Sequence, residues 1–127
     1  MEHSLVSKTE FYQQLLAQTK ALIHDEADPI ANMANISALL FDALEQVNWL
    51  GFYRVISGEL VLGPFQGKVA CIRIPFNKGV CGAAAQTKTT QRISDVHQFD
   101  GHIACDATTN AEIVIPVQVN GDIIAVL

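Results

Sequence analysis

NWLGFYRVISGELVLGPF, residues 48–65, is the stretch at which the chain changes from helical to strand periodicity, and the fold can be built outward from it. Residues 49–55 are rich in aromatic and branched side chains, which suit a pleated, half-buried surface. Ser57-Gly58 makes a tight turn, and residues 59–65 run back through Leu60, Val61 and Leu62. This pattern predicts a β-hairpin and, with it, antiparallel pairing. Upstream, Ser7 followed by Glu10 forms a capping box, and Phe11, Leu15 and Leu22 share one helical face that Tyr12, Leu16 and Ile23 flank. The spacing predicts a helix to about Ile23. Asp28 before Pro29 is an N-cap with proline at the first helical position, and Met33, Ile36, Leu40, Leu44 and Val47 recur at steps of three and four. A second amphipathic helix follows.

Downstream, Gly63-Pro64 and Gly67 punctuate the exit from the hairpin, and residues 69–74 read as a third strand that carries Cys71 and stops at Pro75. Residues 77–87, NKGVCGAAAQT, predict a short helix close to the sheet with Cys81 in its first turn. A fourth strand is expected over 89–93, a fifth over 113–119 and a sixth over 122–127, the last two joined by Asn120-Gly121, a strong hairpin signal. The expected class is α/β (α+β), a six-stranded, largely antiparallel sheet flanked by helices, the N-terminal pair on one face and the loop before residue 113 on the other, in one domain over 1–127. The final run Ile123, Ile124, Ala125, Val126, Leu127 is an apolar strand with nothing after it, which predicts an open edge for another chain and a missing C-terminal piece.

Composition narrows the function. Hydrophobic residues make up 50% of the chain and charged ones 17%, so much of the surface is expected to be polar-neutral or covered by a partner. Eight basic against 13 acidic side chains give a net charge of −5, and no basic stripe is interleaved with aromatics. Nucleic acid and anionic membranes are therefore excluded as partners. The N-terminus lacks the basic start and apolar core of a signal peptide, and no apolar run approaches the roughly 18 residues that span a bilayer, so a cytoplasmic protein is expected. In that compartment three cysteines are not a disulfide framework.

The chemistry is concentrated in residues 95–112, DVHQFDGHIACDATTNAE, which hold His97, His102, Cys105 and the carboxylates Asp95, Asp100, Asp106 and Glu112. So long a polar stretch in a half-apolar chain reads as a functional loop. Cys105, three residues after His102, is the leading nucleophile, although the adjacent Asp106 opposes thiolate formation. Cys81 is a second candidate, because Lys78 and a helix start both favour thiolate. Cys71, among Ala70, Ile72 and Ile74, reads as a small buried hydrophobe. A zinc site from His97, His102 and Cys105 with Cys71 or Cys81 has the right donors, but no Cys-x-x-Cys pair exists. Glu112 opens an otherwise apolar strand, where a carboxylate facing a cavity could carry a proton to a developing oxyanion. Trp49, Phe52 and Tyr53 are either core or the wall of an apolar pocket.

The segments NWLGFYR, LGPFQGKVACIRI, KGVCGAAA, DVHQFDGHIACD and AEIVIPV closely resemble the free methionine-(R)-sulfoxide reductases, an enzyme branch of the GAF fold, and the three cysteine positions match that family's spacing. The resemblance runs from about Asp25 to Leu127. It implies a GAF-like fold and thiol-dependent reduction of free methionine-R-sulfoxide with no cofactor. Cys105 would attack the sulfoxide and become a sulfenic acid, Cys71 would resolve it as a disulfide, with Cys81 as substitute or relay, and a thioredoxin-type dithiol would restore the enzyme. Glu112 would be the proton donor, Trp49 and Tyr53 would enclose the S-methyl group, and Asp95 and Asp106 would orient the loop or hold the substrate ammonium. Members of the family continue past the segment matching AVL into a DIDSP stretch and a closing helix, so the chain is expected to lack its C-terminal strand end and helix. Asp100 stands where the family has proline. The rival is a non-catalytic GAF sensory module binding a small ligand in the same pocket, and a zinc-stabilised domain is a third class. A homodimer through the helices or the final strand is expected.

Overall fold

The computed structural model of the protein describes residues 7–94 and 111–127. Helix α1 spans Lys8–Ile23, and the predicted capping box forms: the Ser7 hydroxyl accepts from the Glu10 N–H at 3.1 Å. Its inner face runs through Phe11, Leu15, Thr19 and Ile23 at steps of four, while Leu22 is exposed, so the buried stripe lies one position away from the predicted one. Thr19 fits this face because its hydroxyl donates to the Leu15 carbonyl at 2.8 Å. Helix α2, Pro29–Ala43, starts as predicted on Asp28, whose carboxylate accepts from the Ala31 N–H. It ends before the predicted stripe does, leaving Val47 on the connection to the sheet. No described helix is long and apolar enough to cross a membrane.

The hairpin that organises the sequence is present as β1, Trp49–Ile56, and β2, Glu59–Gly67. Ser57 and Gly58 both have positive φ, 52° and 79°, the backbone of a turn whose twist matches the strands it joins. The other connections differ from expectation in instructive ways. Strand β3 is only Arg73–Pro75, so Cys71 lies not on a strand but on the preceding connection. Helix α3, Gly79–Thr87, is followed by β4, Gln91–Ile93. The predicted fifth strand is two: β5, Glu112–Val114, and β6, Pro116–Val119. The chain changes sheets after Val114: Ile115 already exchanges backbone hydrogen bonds with Leu127, at 2.9 and 2.8 Å, and Pro116 takes the next position of that ladder, opposite Val126. Strand β7, Asp122–Val126, closes the second hairpin across Asn120 and Gly121, again with both φ values positive.

The main sheet has five strands in the order β3-β2-β1-β7-β6, and β4 and β5 form a separate two-stranded ribbon. All the pairings are antiparallel. The class is the predicted mixed one, with seven strands among the described residues where six were expected. The expectation of a bare final edge is overturned. Strand β7 sits between β1 and β6, pairing Tyr53 with Val126 on one side and Val117 with Ala125 on the other. Both its edges are occupied because the β6–β7 hairpin adds to the first hairpin through its last strand.

Helix α2 lies across β1 and β2 with α1 outside it, and the fully buried Ser37 donates its hydroxyl to the Pro64 carbonyl at 3.3 Å. Helix α3 packs on β3, β7 and the β4–β5 ribbon. Its small residues allow a close approach: a Cβ on Gly82 would stand 2.7 Å from the carbonyl oxygens of both Pro75 and Phe76. Val80 and Ala84 thereby reach Leu60, Ile74, Val114 and Val126, which form the core.

Candidate active site

Strand period two places Trp49 and Tyr53 on one face of β1, and the intervening Gly51 has no side chain to part them. Their rings stack with centroids 6.1 Å apart, and Trp49 stacks on Phe65 at 5.3 Å. The two aromatic rings wall a cleft of about 790 Å³. Leu40 and Leu44 at the end of α2 line it, as do Val69 and Ala70. Cys81 from the first turn of α3 and Glu112 from the start of β5 complete the described wall. Phe52 points to the other face and stays in the core, so only two of the three aromatics belong to the cleft.

Glu112 is brought here because β5 pairs with β4, setting Glu112 opposite Ile93 at the ribbon end. It is partly buried, as a carboxylate facing a cavity should be. The Tyr53 hydroxyl donates to the Cys71 carbonyl at 2.7 Å. Its phenol is pushed up to about 12, first by burial and then by the negative charges that Cys81 and Glu112 can carry. Cys71 is half-buried and disulfide-bonded, whereas Cys81 is a free thiol.

Cys81 corrects an expectation. Lys78 is indeed the N-cap of α3, and the helix start is where predicted, but the thiol is pushed up to about 12, first by burial and second by the Glu112 carboxylate. Removing the sulfur from water and facing it with a carboxylate outweighs the helix terminus. At pH 8 the thiolate fraction of Cys81 is thus about a thousandfold below that of an ordinary thiol. Alkylation by iodoacetamide is expected to be slower by about that factor in the native than in the unfolded chain, as read by mass spectrometry of the Cys81 peptide. The linkage has one sign: the folded pKa is raised, so this group's share of stability is complete below about pH 9 and is lost as pH rises through about 12.

The structure therefore brings together four of the predicted residues, Trp49, Tyr53, Cys81 and Glu112, with Cys71 bonded to this wall through its carbonyl. Asp95, His97, Asp100, His102, Cys105 and Asp106 lie outside the described residues. Among the described residues no group of three histidine, cysteine or carboxylate side chains could hold a metal ion. Sequence reasoning did not find Leu40, Leu44 and Val69 as lining residues. Their only signal is apolarity, which core positions share.

The fold is that of a GAF domain. A solved GAF domain superposes with a TM-score of 0.90 at 43% identity, covering 95% of this chain and 73% of that one. Within that class, the chain is 54% identical over 122 residues to the free methionine-R-sulfoxide reductase of Escherichia coli (strain K12), covering 96% of this chain and 74% of the relative. The free methionine-R-sulfoxide reductase from Neisseria meningitidis, solved in complex with its substrate, superposes with a TM-score of 0.87 at 44% identity, covering 91% of this chain and 70% of that one. No protein-family model matches the chain. At this identity and coverage, the chain belongs to the free methionine-R-sulfoxide reductase family.

Proposed function

We propose that the chain, acting as one GAF-like domain over residues 1–127, reduces free methionine-R-sulfoxide to methionine. The observation that carries this is the cleft: aromatic walls at Trp49 and Tyr53, a carboxylate at Glu112, and a disulfide-bonded Cys71 tied to the Tyr53 wall. The sulfur of Cys105 attacks the sulfoxide sulfur. The oxygen passes to Cys105 as a sulfenic acid and methionine leaves as the thioether, so one sulfur loses two electrons and the other gains them. A second thiol then displaces the sulfenic oxygen as water and forms a disulfide. Exchange with a thioredoxin-type dithiol restores the thiols.

Glu112 supplies the proton that the sulfoxide oxygen needs as it gains negative charge. The rings of Trp49 and Tyr53 enclose the S-methyl group and set the choice of epimer. Asp95 and Asp106 orient groups around Cys105 or hold the ammonium of the free amino acid. Two observations favour Cys71 over Cys81 as the resolving thiol: Cys71 is disulfide-bonded, and Cys81 is free and held as the neutral thiol. Cys81 then stands as a reserve or relay. The reading includes a cytoplasmic homodimer, for which exposed Tyr12, Leu16 and Leu22 on α1 and Ile30 on α2 offer apolar surface.

The test is consumption of each purified epimer of free methionine sulfoxide with dithiothreitol as reductant. Only the R epimer is expected to yield methionine. Equal turnover of both epimers, or of neither, would sink the proposal.

A further inference from the structure

Residues 68–72 run between the end of β2 at Gly67 and the start of β3 at Arg73, and they carry Cys71. Val69 and Ile72 give this strap little hold, being 88% and 66% exposed, while Ala70 is partly buried and Cys71 packs against the core. Burial of apolar surface therefore positions it only in part. Hydrogen bonds to its carbonyl oxygens add to that hold. The Trp49 indole N–H donates to Lys68 at 3.1 Å, the Tyr53 hydroxyl to Cys71 at 2.7 Å and the Leu62 N–H to Ile72 at 2.8 Å. The Tyr53 bond comes from a side chain only 5% exposed and lands on the disulfide-bonded residue itself.

We propose that Tyr53 is a positioning residue for the Cys71 thiol, with Trp49 as a weaker second, beyond any part the two rings play as cleft walls. The pinned carbonyl holds the Cys71 sulfur where its disulfide forms. In catalysis this rests on the reductase reading: the Cys71 sulfur bonds to the sulfenic sulfur, and the sulfenic oxygen leaves as water with the thiol proton. Pinning reduces the freedom lost when the S–S bond closes, which raises the effective concentration of Cys71. A hydroxyl-to-carbonyl bond of this kind is worth a factor of about 2 to 10.

The deciding experiment equilibrates the chain with reduced and oxidised glutathione and counts disulfide-bonded Cys71 by thiol trapping and mass spectrometry. Wild type is compared with Tyr53→Phe, which keeps the ring stacked on Trp49, and with Trp49→Phe, which keeps an aromatic wall. Tyr53→Phe is expected to lower the disulfide equilibrium constant by about 2- to 10-fold, and Trp49→Phe, whose bond is exposed to solvent, by about 2-fold or less. After one equivalent of methionine-R-sulfoxide, the dimedone-reactive sulfenic acid is expected to outlive that of the wild type by the same factors. An unchanged equilibrium in Tyr53→Phe with a raised KM for the sulfoxide would reduce Tyr53 to a wall and overturn the proposal. Wild type that forms the disulfide in glutathione yet makes no methionine would count against the reductase reading alone, because the glutathione comparison still decides the positioning role.

Discussion

Cys105→Ser is expected to bring methionine formation down to the buffer background, a loss of more than about a thousandfold, the scale on which removal of an essential nucleophile acts. The reason lies in the electron balance. Reduction of the sulfoxide requires the attacking atom to accept an oxygen and give up two electrons, which sulfur does in becoming a sulfenic acid. A serine oxygen in the same place would have to form a peroxide, so the hydroxyl cannot stand in for the thiol. The loss would appear in a single-turnover measurement without reductant, where the wild type forms methionine and the variant none. Methionine produced by the variant at even a tenth of the wild-type yield would move the nucleophile to another cysteine, with Cys81 next in line on the cleft wall.

Glu112→Gln is expected to lower kcat/KM for the R epimer by about 10²- to 10⁴-fold, the usual contribution of a positioned proton donor. Glutamine keeps the size of the side chain and the apolar neighbours on β5, so the cleft retains its shape. It has no acidic proton to pass to the sulfoxide oxygen. The substitution also carries an internal control. The Glu112 carboxylate is the second cause, after burial, of the high position of the Cys81 thiol. Its removal is therefore expected to move the pH profile of Cys81 alkylation to lower pH, while burial keeps the profile above that of an ordinary thiol. A variant that shows this shift and full activity would leave Glu112 in the cleft without a role in proton transfer.

Much of the fold was readable from short stretches. The Ser7–Glu10 box and the Asp28-Pro29 start mark their helices because each cap is a bond between groups three residues apart. Ser57-Gly58 and Asn120-Gly121 mark their hairpins because the turns need positive φ at both positions, and both pairs show it. Strand period puts Trp49 and Tyr53 on one face, while the choice of these two over Phe52 came from the family resemblance. Where the reading slipped, a local signal met a distant partner. Leu22 is as apolar as Leu15, but the face that α1 presents is chosen by contact with α2. Residues 113–119 look like one strand, but the partner changes between Val114, which pairs with β4, and Ile115, which pairs with Leu127 at the end of β7.

The site divides in the same way. The sequence by itself supplied the candidate groups: three cysteines, Glu112 and the aromatic pair, in an order and spacing that resemble one enzyme family. Residue identity and spacing are enough for that, because chemistry depends first on which atoms are present. Only the tertiary structure decided that the final strand lies inside the sheet, that Cys71 rides on a strap held by Tyr53, and that Cys81 is a neutral thiol. Each of these depends on contacts between residues far apart in the chain, such as Tyr53 with Val126 and Glu112 with Cys81. Strand order, desolvation and through-space charge act across such distances, and none leaves a mark on the local pattern of side chains.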